Sequence, residues 1–154
     1  TLFPLLTSSP GKRLVMLANH TLAATLISAR HEGRLEPARR TLELARQIAG
    51  DRLTVDVLNG RSLYAYALVL EGDVQKGVTE LKALVQQQIE FLGPDHGDVQ
   101  RTLGRLANAS LSVGDPLTAI DSIQGGLRIE RALAGERQTA DLGQVQQHEC
   151  PGQR

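Results

Sequence analysis

Apolar residues recur at steps of three and four along most of the chain, which is the spacing of a helix with one buried face. No segment shows the sustained alternation of apolar and polar residues that is typical of a β-strand. The pattern therefore predicts an all-α protein. The expected helices lie near residues 14–31, 36–49, 56–71, 74–92, 98–113 and 116–134, with a short seventh at 139–148.

An internal repeat organises these helices, and its landmark is a glycine. Aligning Gly33, Gly72 and Gly114 places a small residue five positions later each time, at 38, 77 and 119, and a Leu or Ile nine positions later, at 42, 81 and 123. Glycine adopts the left-handed backbone that ends a helix without a steric penalty, so each should separate two helices. The small residues would let paired helices approach closely, and the apolar residues would face inward. The repeat thus predicts three antiparallel helix pairs.

Local signals refine the expected helix ends. Asp56 and Asp98 each lie sixteen residues before a hairpin glycine, and we expect them to be N-caps of first helices. Asp115 is the expected N-cap of the last helix, because a proline follows it at the first helical position. Two glycine-containing pairs weaken the helices that hold them: Asn59-Gly60, which suggests a turn, and Gly125-Gly126.

These features resemble the tetratricopeptide repeat (TPR) family, in which a glycine between helices, an alanine five later and a large apolar residue nine later recur. The likeness covers about residues 20–135, and the segment FLGPDHGDV at 91–99 is similar to the 42-residue kinesin-light-chain-like variant. Similar repeats occur beside bacterial Ser/Thr kinases and regulators. The resemblance implies a right-handed superhelical stack of three pairs plus a partial capping helix, whose first helices line a concave, peptide-binding groove. It also implies that His96 positions the next helix rather than acting as a ligand.

The repeat domain is expected at residues 14–142, between an N-terminal link at 1–13 and a disordered tail at 143–154. Because the sequence does not start with Met, we interpret it as part of a longer protein, and the resemblance implies that this protein is bacterial. Cys150 has no second thiol in the chain, which favours a reducing, cytoplasmic compartment. No apolar run reaches the ~18 residues that a membrane span requires.

Charge and composition narrow the possible ligands. Seventeen basic residues balance seventeen acidic ones, so no strong field attracts nucleic acid or a membrane surface. The four histidines are dispersed without metal-ligand spacing, and Gly11-Lys12 lacks the upstream glycine of a phosphate loop. We therefore expect no enzyme activity, no metal and no cofactor, and a protein or peptide as the partner.

The alignment places several first-helix residues on the expected concave side. These candidate partner-binding residues are His20, Ile27, Asn59, Leu63, Tyr66, Arg101, Arg105 and Asn108. Arg101 and Arg105 are four apart, on one helix face, where two guanidinium groups could bind a carboxylate. They resemble half of the carboxylate clamp of chaperone-binding TPR proteins, although Ala23, Ile27 and Leu63 do not supply the other half. Alternatively, both arginines are simply solvated.

Two further alternatives stay open at this point. One concerns four apolar residues, which would form a floor for a partner helix or else would pack under a neighbouring pair. These residues are Ile27, Leu63, Tyr66 and Val69. The preferred function is protein interaction within a larger signalling protein. The alternative is a structural spacer or dimerisation segment of a Ser/Thr kinase or regulator, without a peptide ligand. Self-association through the exposed ends of the stack is a separate expectation.

Overall fold

The computed structural model describes residues 9–147, and the side chains of residues 9–137. Cys150, residues 1–8 of the expected link and residues 148–154 of the expected tail lie outside the described residues. The fold is all-α, as predicted, and no described helix is long and apolar enough to cross a bilayer. The helices are α1 (Ser9–Ser28), α2 (Leu35–Ala49), α3 (Val55–Leu70), α4 (Val74–Leu92), α5 (Gly97–Ser112) and α6 (Pro116–Gln147).

The six helices pack as sequential antiparallel pairs, α1–α2, α3–α4 and α5–α6, and neighbouring pairs contact each other. First helices meet along the stack, since α1 contacts α3 and α3 contacts α5. Over the described residues, the second helices α2, α4 and α6 do not touch one another. First helices therefore converge while second helices spread, which puts α1, α3 and α5 on the inner side of a curved stack. The predicted stack of three pairs is confirmed.

The hairpins of the middle and last pairs end their first helices as the repeat predicts. In the middle pair, the Asp73 N–H donates to the Leu68 carbonyl at 3.0 Å, and Gly72 has φ 102°. The last pair repeats the pattern at Asp115, where Gly114 has φ 72°. A positive φ at this point allows a six-to-one hydrogen bond that satisfies a terminal carbonyl. Gly72 and Gly114 thus set the tight reversal between the helices of their pairs.

In the first pair the prediction for Gly33 is wrong. The left-handed residue that ends α1 is Arg30, with φ 52°, and the His31 N–H donates to the Leu26 carbonyl at 2.9 Å.

The small residues five positions after these glycines lie between paired helices. Ala38, Gly77 and Ala119 are all buried. The approach is close at Gly77, where an added Cβ would lie 2.6 Å from the backbone oxygen of Ala65 in α3. The predicted close packing of α3 on α4 is therefore confirmed, and at Gly77 it leaves no room for a methyl group.

Helices continue through both glycine-containing pairs, as the helices predicted at 56–71 and 116–134 require. A Cβ on Gly60 would lie 3.1 Å from the Cα of Leu42, and one on Gly125 would lie 3.2 Å from Cδ1 of Leu103. Each glycine thus lies where two helices pack closely. Glycine in a helix interior is about 1 kcal/mol less favourable than alanine. The close helix packing that these glycines permit outweighs this cost.

The last helix is longer than expected. It starts at Pro116 with Asp115 as its N-cap, whose Oδ1 accepts from the Thr118 N–H at 3.1 Å, as predicted. It then runs without a break to Gln147, so the residues assigned to a separate seventh helix at 139–148 continue α6 as far as 147. Residues 143–147 of the expected tail are likewise helical.

The N-caps of α3 and α5 lie two residues before those expected. The Thr54 hydroxyl accepts from the Val57 N–H at 3.3 Å, and Nδ1 of His96 accepts from the Asp98 N–H at 3.1 Å. The predictions for Asp56 and Asp98 are therefore wrong, and both lie in first turns, where the helix dipole favours a carboxylate. His96 occupies the helix-positioning role that the resemblance implied.

Two of the three residues nine positions after the hairpin glycines pack against the following pair. Leu42 and Leu81 are buried, and Leu81 belongs to a cluster with Leu106 and Ala109 of α5. Ile123 is 48% exposed, so its predicted inward position is wrong. No described pair follows α6 to cover it.

Candidate partner-binding groove

The inner sides of α1, α3 and α5 form a concave surface, called the groove below. One part of it is a pocket of about 160 Å³ that brings three predicted residues together: His20 from α1, Asn59 from α3 and Arg101 from α5. Asp56 also lines this pocket. Residues that are widely separated in sequence thus meet because the first helices of successive pairs are in contact.

Asp98 links two of the predicted residues. Its carboxylate accepts from Arg101 at 2.6 Å and from the Asn59 side-chain amide at 3.1 Å, and its side chain is only 12% exposed. The Arg101 side chain remains 55% exposed, so part of its guanidinium faces solvent. Sequence reasoning placed Asp98 at a cap and missed this contact, although its spacing of three from Arg101 was visible.

Arg105 is the half-buried cation of the groove. One of its NH groups donates to the Ser62 hydroxyl at 2.7 Å, and Ser62 in turn lies 2.8 Å from the Thr102 hydroxyl. Among the described residues, no carboxylate forms an ion pair with it. Burial, followed by repulsion from Arg101, lowers the pKa of Arg105 to about 10. It therefore stays charged at neutral pH, with most of its five N–H donors unused.

His20 lies in the same electrostatic environment, on the opposite wall. Its imidazole is partly buried, and this burial lowers its pKa below the usual 6.5. The nearby charges of Arg105 and then Arg101 lower the pKa further, while Asp56 and Asp98 oppose the shift. The charge state of His20 is thus coupled to whatever neutralises the two arginines.

Gly104 opens space on the groove side of α5. It lies three residues after Arg101 and four before the exposed Asn108, so the three share one helix face. No atom lies within 4 Å of a Cβ added at Gly104. The main chain of a ligand can therefore come close to α5 between side chains that offer charge and hydrogen bonds. Sequence reasoning missed Gly104, although an exposed glycine beside Arg105 was a readable signal.

The apolar candidates belong mainly to the core. Leu63 is fully buried in a cluster with Ala23, and Ile27 packs against that cluster. Val69 is buried in the neighbouring cluster, against which Tyr66 packs. The side chain of Leu63 is therefore not available to a partner, whereas Ile27 and Tyr66 are half-buried and present part of their surface.

Over the described residues, no three His, Cys, Asp or Glu side chains lie close enough together to hold a metal ion. No protein-family model, curated protein or solved structure matches the chain. The functional argument therefore depends on the geometry of the groove itself.

Proposed function

We propose that this chain is a TPR-type interaction module that binds a peptide or helix of a partner protein in its groove, as part of a larger bacterial signalling protein. The observation that carries the proposal is the half-buried Arg105, which has no ion-pair partner among the described residues. A partly desolvated charge without a counter-ion is costly, and a ligand carboxylate would offset that cost. The proposal assigns no catalytic residue, metal or cofactor.

The arrangement favours an acidic ligand. A carboxylate from a side chain or a chain terminus would lie between Arg105 and the solvent-facing part of Arg101, where charge-assisted hydrogen bonds are strongest. The ligand main chain would cross α5 at Gly104, within reach of the Asn108 amide. His20, Asn59 and the exposed parts of Ile27 and Tyr66 would contact the remainder. Leu63 is no longer included, because it is fully buried.

Affinity selection from a library of random peptides tests this function directly. We expect the wild-type protein to enrich acidic peptides, and Gly104→Leu to lose them because its side chain fills the groove. Leucine has the higher helix propensity, so Gly104→Leu should be at least as stable as wild type and its loss of binding cannot be ascribed to unfolding. Ala83→Leu is the matched control, since Ala83 is exposed on α4, outside the groove. Selection of the same peptides by Gly104→Leu would refute the proposal.

The role of the cation is tested separately with the selected peptide. Arg105→Gln should weaken binding at least tenfold, because a charge-assisted hydrogen bond contributes about 1.5–3 kcal/mol. Arg40→Gln is the control, since Arg40 is exposed on α2 and pairs only with Glu43. A similar loss in both variants would show that only net charge matters, and would reject a specific carboxylate site.

Self-association remains the second candidate, and one observation favours it. An apolar stripe on α6 is exposed in the described chain and consists of Leu117, Ile120, Ile123 and Leu127. Contiguous apolar surface of this kind is typical of interaction sites. Sedimentation equilibrium of the wild-type protein and of Ile120→Glu distinguishes the two candidates. A dimer that Ile120→Glu dissociates would support the dimerisation role, and a wild-type monomer would reject it.

A further inference from the structure

A second concavity lies between the second helices, away from the groove. Helices α2 and α4 both pack on α3 but do not contact each other, and the gap between them holds a pocket of about 430 Å³. The apolar residues Leu42, Tyr64 and Leu68 line it, and we call it the α2–α4 gap. Its volume lies within the range of about 300–1,000 Å³ that small-molecule sites occupy.

An ion pair forms one wall of the gap. Two nitrogens of Arg61 donate to Oε1 of Glu80, at 2.9 Å and 2.6 Å, and a third is bonded to Gln87. This pair joins α3 to α4 and uses the donors of Arg61. The acidic residue among those lining the gap is therefore already neutralised.

Two further cations lie at the rim of the gap. The Arg46 side chain has no hydrogen bond or ion pair among the described residues. Lys76 is 66% exposed and forms a long ion pair with Asp73, at 3.8 Å, on the solvent-facing side of α4. The Tyr64 hydroxyl also has no partner among the described side chains. Three donors thus surround an apolar floor, and positive charge is in excess.

The repeat supplies an internal comparison. The gap between α4 and α6, which α5 floors, holds a pocket of the same volume, about 430 Å³. Part of its lining occupies the same positions in the repeat alignment as the lining of the α2–α4 gap, but three donors of the first gap are replaced. Val85, Leu106 and Thr118 correspond to Arg46, Tyr64 and Lys76. The stacking geometry therefore produces both gaps, and only the first has this set of donors.

We propose that the α2–α4 gap binds a small organic anion with an apolar body, at a site separate from the groove. Arg46 and Lys76 hold the anionic group through charge-assisted bonds, and the Tyr64 hydroxyl is available as a further donor. The apolar body packs on Leu42 and Leu68. The walls formed by α2, α4 and the Arg61–Glu80 pair limit the ligand to the size of a medium-chain or bicyclic carboxylate.

Nuclear magnetic resonance titration of the ¹⁵N-labelled protein with octanoate and with 2-naphthoate tests the site. We expect saturable shifts of amides around the gap in α2, α3 and α4, and at least tenfold weaker binding of the neutral analogues octanamide and 2-naphthamide. The double variant Arg46→Val, Lys76→Thr carries the residues of the second gap, and it should bind the acids at least tenfold more weakly. Lys82→Thr removes a cation that lines the second gap and should bind like the wild type.

Both replaced side chains are exposed, so the fold of the double variant is expected to persist, and its unchanged spectrum outside the gap would verify this. Absence of saturable shifts with both acids would overturn the proposal. Equal affinity for acids and amides would overturn the anionic specificity, as would unchanged affinity in the double variant. Shifts confined to α1 and α5 would place the acids in the groove instead and would equally reject the gap.

Discussion

Replacing Gly77 with alanine tests the close packing on which the stack depends. Alanine normally stabilises a helix interior by about 1 kcal/mol relative to glycine. At Gly77, however, the new Cβ would lie 2.6 Å from the Ala65 carbonyl oxygen and would also clash with a methyl carbon of Val69. The methyl group of Val69 can rotate at some cost, but the carbonyl belongs to α3. The helices α3 and α4 must therefore separate.

The magnitude follows from these distances. An ordinary contact begins near 3.4 Å, so the carbonyl contact is about 0.8 Å too short. Overpacking of a core costs about 1–3 kcal/mol, and a clash with backbone belongs to the upper part of that range. After the gain in helix propensity, we expect Gly77→Ala to lower the free energy of unfolding by about 1–2 kcal/mol.

Gly104→Ala is the matched control, because its Cβ meets no atom within 4 Å. It should raise stability by about 0.5–1 kcal/mol through helix propensity alone. Urea unfolding followed by circular dichroism measures both variants. Changes of opposite sign support the packing argument. If Gly77→Ala stabilises the protein as much as Gly104→Ala does, the close contact between α3 and α4 is wrong.

Three other predictions follow from the same structure. Leu81→Ala should lower the free energy of unfolding by about 2–5 kcal/mol and Ile123→Ala by less than about 1 kcal/mol, because only Leu81 is covered by a following pair. Equal losses of the two variants in urea unfolding would refute this assignment of buried positions. Hydrogen bonds, chiefly with Thr118, lower the pKa of Asp115 from 3.8 to about 2, so capping stabilises the fold above pH 3.8 and is lost as the pH falls toward 2. The difference in Tm between wild type and Asp115→Asn should narrow over that interval, and a constant difference would exclude the linkage. A peptide carboxylate in the groove should raise the pKa of His20, because it offsets the positive charge of Arg105 and Arg101. The imidazole resonances of His20 measure this pKa by nuclear magnetic resonance, and an unchanged pKa at peptide saturation would place the carboxylate elsewhere.

The repeat could be predicted from the sequence because its landmarks have local causes. A glycine with positive φ and a small residue five positions later determine the hairpin within about ten residues of chain. The bounds predicted for α4 from this pattern, 74–92, agree with the structure. The mistakes arose where contacts with a neighbouring pair decide. Ile123 occupies the inward position of the repeat, but it is exposed because no described pair follows α6.

The candidate groove was only partly predictable. The repeat alignment placed His20, Asn59 and Arg101 on the first helices, and contacts between successive pairs bring them to one pocket. Leu63 was misjudged because a small rotation of α3 decides whether a residue beside the groove faces the ligand or the core. Gly104 was missed because sequence reasoning searches for side chains that supply atoms, whereas this residue contributes space.

The central claim is that the inner sides of α1, α3 and α5 bind the partner. The most direct test attaches a spin label to a selected acidic peptide and records which amides of the ¹⁵N-labelled protein are broadened. The account predicts broadening around His20, Asn59 and Gly104, with the second helices α2 and α4 unaffected. Broadening restricted to the apolar stripe on α6, or to α2 and α4, would contradict it.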